Sequence, residues 1–158
     1  MLKKLRKKIC KKLCPKNKSR DIVIIFPINT KTKKVLLIQE YIHLYDQKIW
    51  KFASGGMDKS GKSPLQHAKE ELAEELQMEA KVFKHFYTFE KIFVSRKTHC
   101  FVAENPTIMK NPPENPDTDF ITNTKWVSES ELWEMIDTKE IFWKETVLVA
   151  LNILRGLN

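Results

Sequence analysis

Residues 54–78 read SGGMDKSGKSPLQHAKEELAEELQM and contain the strongest structural signals in the chain. Ser63, Pro64 and Gln66 match the N-cap, the first-turn proline and the third helical position of a capping box, so a helix is predicted from Ser63 to Gln77. The apolar residues of this segment recur every three or four positions, as on one face of a helix: Leu65, Ala68, Leu72 and Leu76. The helix is therefore predicted to pack this stripe against the protein core.

Four glutamates crowd two turns of the same helix: Glu70, Glu71, Glu74 and Glu75. Three of them, Glu71, Glu74 and Glu75, fall within an arc of about 100° beside the apolar stripe. Like charges at this spacing destabilise a helix, so a solvated acidic face is the simplest interpretation. Their position after a glycine pair and a loop favours a second one, in which the carboxylates face a cleft and a divalent cation relieves their repulsion.

The flanking segments alternate strands and helices. Runs rich in Val, Ile, Leu and Phe predict strands at Asp21–Ile28, Lys34–Glu40, Trp50–Phe52, Lys81–Phe89, Ser95–Ala103 and Lys125–Val127. A proline-containing loop over residues 104–120 precedes predicted helices at Ser128–Ile136 and Ile141–Leu154. Residues 54–56 are expected to bend freely, and His67 is expected on the solvent side of its helix. This order predicts an α/β fold, a mixed β-sheet sandwiched between helices.

The charge of the chain is concentrated at its N-terminus. Residues 1–20 hold ten Lys and Arg and no acid, whereas the remaining 138 residues hold 18 basic and 20 acidic residues. Residues 1–19 are therefore predicted to be a basic amphipathic or disordered tail, and residues 20–158 one folded domain. No apolar run approaches the ~20 residues that span a bilayer, and no secretory signal is recognised. With an odd number of cysteines, these features lead us to expect a cytoplasmic protein.

Three interpretations of the tail remain open. The first is a solvated tail without a partner. In the second, residues 1–18 form a helix on an anionic membrane surface, with four apolar residues at helical spacing in the interface: Leu2, Leu5, Ile9 and Leu13. In the third, the lysines neutralise nucleic-acid phosphates without sequence preference.

Residues 56–78 resemble the Nudix box, G-x5-E-x7-R-E-U-x-E-E-x-G-U, where U is a bulky aliphatic residue. Six residues match at the required spacing: Gly56, Glu71, Leu72, Glu74, Glu75 and Met78. Residues 35–41, 50–56 and 125–132 follow in the order seen in ADP-ribose pyrophosphatase-like members of the Nudix hydrolase family. The resemblance covers roughly residues 20–156 and implies the Nudix fold.

The resemblance also implies an activity. Nudix hydrolases of this type cleave the pyrophosphate bond of a nucleoside diphosphate linked to another moiety, here of the ADP-ribose or nucleotide-sugar class, with Mg²⁺ or Mn²⁺. Glu71, Glu74 and Glu75 would be the catalytic acids and would hold the metal with the carbonyl group of Gly55. The loop over residues 104–120 offers candidates for the general base: Glu114, Asp117 and Asp119. A homodimer is also expected, because relatives of this type are commonly dimers.

Three positions depart from the Nudix box. Lys62 replaces its first glutamate, Glu70 its arginine and Gln77 its closing glycine. The first glutamate and the arginine are associated with an ion pair in the family, so Lys62 and Glu70 are predicted to keep the pair with exchanged charges. The alternative is unrelated drift in a protein that is losing activity. If residue 77 is left-handed, its side chain costs about 1 kcal/mol.

Three further residues are predicted to contact the substrate: Lys51, Arg96 and Asp119. For Lys51 and Arg96 the alternative is a solvated side chain on a strand. Lys51 also stands where the family pattern Trp-Glu-Leu-Pro has its glutamate, which reverses the charge at that position. This reversal keeps a second function open, a catalytically weak Nudix-fold module that binds a nucleotide or RNA.

Overall fold

The computed structural model describes residues 20–43, 46–91, 96–114, 121–141 and 143–157. The predictions for the basic tail, and those for Asp117 and Asp119, fall outside the described residues and stay predictions. Within the described part of the chain, no helix is long and apolar enough to cross a membrane.

The described strands and helices follow the predicted order. The strands are β1 (Ile22–Asn29), β2 (Lys34–Ile42), β3 (Gln47–Lys51), β4 (Ala53–Gly56), β5 (Met78–Glu79), β6 (Val82–Lys91), β7 (Arg96–Glu104), β8 (Thr107–Ile108) and β9 (Ile121–Val127). The helices are α1 (Pro64–Leu76), α2 (Glu129–Asp137) and α3 (Lys144–Arg155). The sequence analysis did not predict β4, nor the short β5 and β8, which pair with each other outside the main sheet.

Strand β1 lies at the centre of a mixed sheet with the order β3-β2-β1-β7-β6. It runs parallel to β7 and antiparallel to β2, but it pairs with β2 only at the two residue pairs beside their turn. Beyond that point β1 pairs with β4 and the same edge of β2 pairs with β3, so the sheet splits between β1 and β2. The expectation that residues 54–56 bend freely is wrong, because they belong to β4 and their register against β1 is fixed.

Helices cover both faces of the sheet, because alternate residues of a strand face opposite sides. Val23 and Ile25 of β1 belong to the core beneath α1, together with Ala68 and Leu72. The other core lies beneath α2 and α3 and contains Ile24, Phe26, Leu132, Val147 and Leu151. The predicted mixed β-sheet sandwiched between helices is therefore confirmed.

Helix α1 begins and ends as its sequence predicts. Ser63 Oγ accepts the N–H of Gln66, and the Gln66 side chain accepts the N–H of Ser63 at 2.7 Å, which completes the capping box. Gln77 follows the helix in the left-handed conformation with φ 54° and ψ 33°. His67 is 2 % exposed, so its expected position on the solvent side is wrong. The buried face of the first turns is wider than the apolar stripe, since His67 and Ala68 are both buried.

Candidate active site

Two of the predicted catalytic acids converge on the backbone of β4. Glu75 Oε2 accepts the backbone N–H of Ser54 at 2.9 Å. The Glu71 carboxylate lies against Gly55, where a Cβ atom would stand no more than 2.5 Å from either of its oxygens. Real Cβ atoms essentially never come within 3.0 Å of another heavy atom, so residue 55 must be glycine while Glu71 keeps this position.

The environment of Glu75 disfavours an isolated negative charge. Its side chain is only 9 % exposed, and burial raises its pKa to about 8. The ammonium of Lys51 lowers this pKa, whereas the neighbouring charge of Glu71 raises it further. A divalent cation beside Glu71 and Glu75 would favour the ionised form of both groups, because it replaces repulsion with attraction.

Lys51 is the buried counter-charge of this cluster. Its side chain is 8 % exposed, its Nζ forms an ion pair with the Glu40 carboxylate, and the same Nζ lies 3.9 Å from Glu75 Oε1. Because Lys51 pairs with Ile38 across the β2–β3 ladder, its side chain lies on the same face of the sheet as Glu40. The interpretation of Lys51 as a solvated strand lysine is therefore wrong, and its predicted contact with substrate stays a prediction.

The remaining acids of α1 face two lysines of the preceding loop. Lys62 Nζ lies 2.5 Å from Glu70 Oε1, which confirms the predicted ion pair with exchanged charges. Lys59 Nζ lies 3.0 Å from Glu70 Oε2 and 3.2 Å from Glu74 Oε1. The hydrogen bonds from Lys62 and Lys59 lower the pKa of Glu70. Sequence analysis missed Lys59, although its position in the loop before an acidic helix was a usable signal.

The donor set fits a hard divalent cation, since carboxylate and carbonyl oxygens are the ligands that Mg²⁺ and Mn²⁺ prefer. Glu71, Glu75 and the carbonyl group of Gly55 are the residues that would hold it. Among the described residues, no three acidic, histidine or cysteine side chains already surround one point as a metal cluster would. Glu74 would therefore have to leave Lys59 before it could serve as a further ligand.

A cleft of about 130 Å³ lies on the other side of Ser54. Arg96 and Thr98 of β7 line it together with Trp143, which precedes α3. The Arg96 Nε and Thr98 Oγ1 atoms are buried and find no hydrogen-bond partner within the described part of the chain. Buried polar atoms without partners cost free energy, so a ligand that bonds to both would stabilise this cleft. The sequence analysis singled out Arg96 but not Thr98 or Trp143.

The chain was compared with known families and structures. The family model of the NUDIX domain matches residues 18–148. The chain belongs to the Nudix family. This match confirms the identification from residues 56–78 and, with it, the prediction of a Nudix hydrolase.

Solved structures resemble the Nudix chain in fold. One is described as an ADP compounds hydrolase, with a TM-score of 0.70 and 21% identity, covering 90% of this chain and 73% of the other. Another is MutT, from work on Aliivibrio salmonicida and Vibrio cholerae, with a TM-score of 0.63 and 17% identity, covering 84% and 97% of the two chains. At these identities the likeness shows the fold alone. No curated protein sequence matches the chain.

The Nudix chain thus brings together only part of the predicted site. Gly55, Glu71 and Glu75 meet at β4 with Lys51 beside them. Glu74 turns toward Lys59, and Arg96 lies across Ser54 in the cleft. Glu114 is exposed on its loop, and Asp119 falls outside the described ranges, so the choice of general base stays open.

Proposed function

We propose that this Nudix hydrolase cleaves the pyrophosphate bond of a nucleoside diphosphate linked to a second group, with Mg²⁺ or Mn²⁺ held at Glu71, Glu74, Glu75 and the Gly55 carbonyl. The observation that supports it is the approach of the Glu71 and Glu75 carboxylates to one segment of β4, where only glycine fits. Two partly buried carboxylates repel each other, and the single ammonium of Lys51 offsets this only in part, since the pKa of Glu75 is still raised to about 8. The arrangement is therefore better suited to cation binding than to stabilising the fold.

The residues around the proposed metal have separate tasks. When bound, the metal would neutralise phosphate charge and lower the pKa of the attacking water. The N–H of Ser54 holds one oxygen of Glu75 in place, and Lys51 keeps a positive charge beside the other. The absence of a side chain at Gly55 leaves the space that the Glu71 carboxylate occupies.

We place the organic part of the substrate in the cleft beside Ser54. Arg96 Nε and Thr98 Oγ1, which find no partner among the residues that the structure describes, offer donors for the oxygen or nitrogen acceptors of a nucleotide. Trp143 lines the same cleft and offers a flat ring on which a base can stack. These features support the ADP-ribose or nucleotide-sugar class as substrate, and the fold shared with an ADP compounds hydrolase agrees with it.

A second candidate function is a nucleotide-binding module with little catalysis. Two observations favour it. Lys51 stands 3.9 Å from Glu75, and Lys59 stands 3.2 Å from Glu74. Each ammonium supplies positive charge where a divalent cation would otherwise be needed, so a diphosphate could bind without metal turnover.

A substrate panel separates the two candidates. ADP-ribose and nucleotide sugars are incubated with Mg²⁺ or Mn²⁺, and the nucleoside monophosphate product is measured by chromatography. Glu75→Gln and Glu71→Gln are expected to lower kcat at least about 100-fold, because each removes a charged ligand. The matched control Glu134→Gln, on the exposed side of α2, should keep the wild-type rate.

Two outcomes would contradict the hydrolase. Unchanged turnover in Glu75→Gln and Glu71→Gln would exclude the assigned site. No turnover of any substrate, combined with calorimetric binding of the same nucleotides without metal, would favour the binding module.

A further inference from the structure

Lys59 lies at the rim of the proposed metal site and contacts one of its acids directly. It belongs to the loop between Gly56 and α1, and its side chain is 45% exposed. Its ammonium bridges Glu70 at 3.0 Å and Glu74 at 3.2 Å. These hydrogen bonds, to Glu70 first and then to Glu74, raise the pKa of Lys59.

Glu70 and Glu74 differ in whether another cation remains beside them when Lys59 moves away. Glu70 keeps Lys62, whose Nζ lies 2.5 Å from its other oxygen. Glu74 has no second cation within ion-pair distance in the described part of the chain, so its carboxylate would be released with its full charge. Departure of Lys59 therefore frees Glu74 while Glu70 stays paired.

The same ammonium opposes a divalent cation in two ways. It holds a Glu74 oxygen that the cation would take, and its positive charge would repel the cation as long as it stays there. A cation that binds Glu74 consequently displaces Lys59, whose half-exposed side chain is then free to reach a phosphate group of a bound substrate. A lysine ammonium there is a good partner, because charge-assisted hydrogen bonds to phosphate are stronger than neutral ones.

We propose that Lys59 is an exchangeable counter-ion of the metal site. It holds Glu74 in the metal-free protein, yields Glu74 to the divalent cation, and then donates to the diphosphate of the substrate. This inference rests on the proposed function, because it takes Glu74 as a metal ligand. It assigns to Lys59 opposite effects on metal binding and on substrate binding.

The variant Lys59→Met tests both effects. Free Mn²⁺ is measured by electron paramagnetic resonance during titration of the protein without substrate. Mn²⁺ is expected to bind about two- to fivefold more tightly to Lys59→Met than to the wild type, the range that exposed ion pairs contribute. The KM for ADP-ribose at saturating Mn²⁺ is expected to rise by a similar factor, because a phosphate contact is lost.

Lys62→Met is the matched control. It also removes one positive charge from the loop, but among the described residues Lys62 forms its ion pair with Glu70 and none with Glu74. Its Mn²⁺ affinity should therefore stay closer to the wild type than that of Lys59→Met. Lys59→Arg, which can reach both acids, should resemble the wild type in Mn²⁺ affinity and in KM.

The outcomes separate this inference from the proposed function. If the wild type binds Mn²⁺ and turns over substrate, equal or weaker Mn²⁺ binding by Lys59→Met than by Lys62→Met would overturn the inference alone. Tighter Mn²⁺ binding with an unchanged KM would overturn the transfer of Lys59 to the substrate. A wild type that neither binds Mn²⁺ nor hydrolyses any nucleotide would overturn both.

Discussion

Replacing Gly55 with alanine should lower the activity strongly while leaving the free energy of unfolding nearly unchanged. The added Cβ atom would stand no more than 2.5 Å from either oxygen of the Glu71 carboxylate, whereas ordinary contact begins at about 3.4 Å. The carboxylate must therefore move by about 1 Å or more. Metal–oxygen distances of about 2.0–2.1 Å tolerate little displacement, so the metal site should be disturbed directly.

The expected loss in kcat/KM is about 100-fold, the typical effect of a 1 Å misplacement at a reacting centre. This corresponds to about 2.7 kcal/mol of transition-state stabilisation. The free energy of unfolding should change by less than about 1 kcal/mol, because the atoms in the way are the end of a flexible side chain and not backbone. Kinetics with ADP-ribose and urea unfolding measure the two quantities.

Gly56→Ala provides the control, since a Cβ atom at that position meets nothing within 4 Å. It should keep activity and stability within about twofold and 0.5 kcal/mol of the wild type. If Gly55→Ala is as active as Gly56→Ala, the Glu71 carboxylate does not work from the position described here. If Gly55→Ala fails to fold, the Glu71 carboxylate cannot move aside as expected.

Four further predictions follow from the charges of the site. Because burial raises the pKa of Glu75 to about 8, Mn²⁺ affinity should increase from pH 6 to 8 and then level off, and calorimetry should find a flatter profile in Glu75→Gln. The same group binds its proton more tightly in the folded than in the unfolded state, so its contribution to stability should fall as pH rises from about 4.5 to 8. Lys51→Met leaves the Glu40 and Glu75 carboxylates without their ammonium. It should therefore lower the free energy of unfolding, measured in urea, by roughly 2–3 kcal/mol. A loss below about 0.5 kcal/mol would contradict this prediction. A thermal double-mutant cycle of Lys62→Glu and Glu70→Lys should give a coupling of roughly 0.5 kcal/mol, and zero coupling would show that the pair adds nothing.

Features that depend on neighbours in the chain were predictable from sequence. The capping box at Ser63 and the apolar stripe of α1 are local, so spacing alone identified them. The left-handed conformation of Gln77 entered only as a condition, because the family box has a glycine at that position. The Lys62–Glu70 pair was also within reach, because eight residues separate the two and the family box places them together.

Features that depend on strand register were not predictable. Lys51 is buried because β3 aligns it diagonally with Glu40 and because α1 places Glu75 above it. Neither alignment can be inferred from the residues around Lys51, whose pattern is that of an ordinary alternating strand. The orphan atoms of Arg96 and Thr98 likewise arise only when β7 pairs with β1 and Trp143 closes the cleft.

Strand β4 gives the site two walls, because α1 packs against one face of the sheet and the cleft lies on the other. The acids come from α1 on one side, the cleft is bordered by β7 and the residues before α3 on the other, and Ser54 belongs to both. A lineage with this architecture can exchange the side chains of one wall and leave the other intact. New substrate preferences can thus arise while the catalytic residues stay unchanged, provided that the Ser54 peptide group keeps its position in β4.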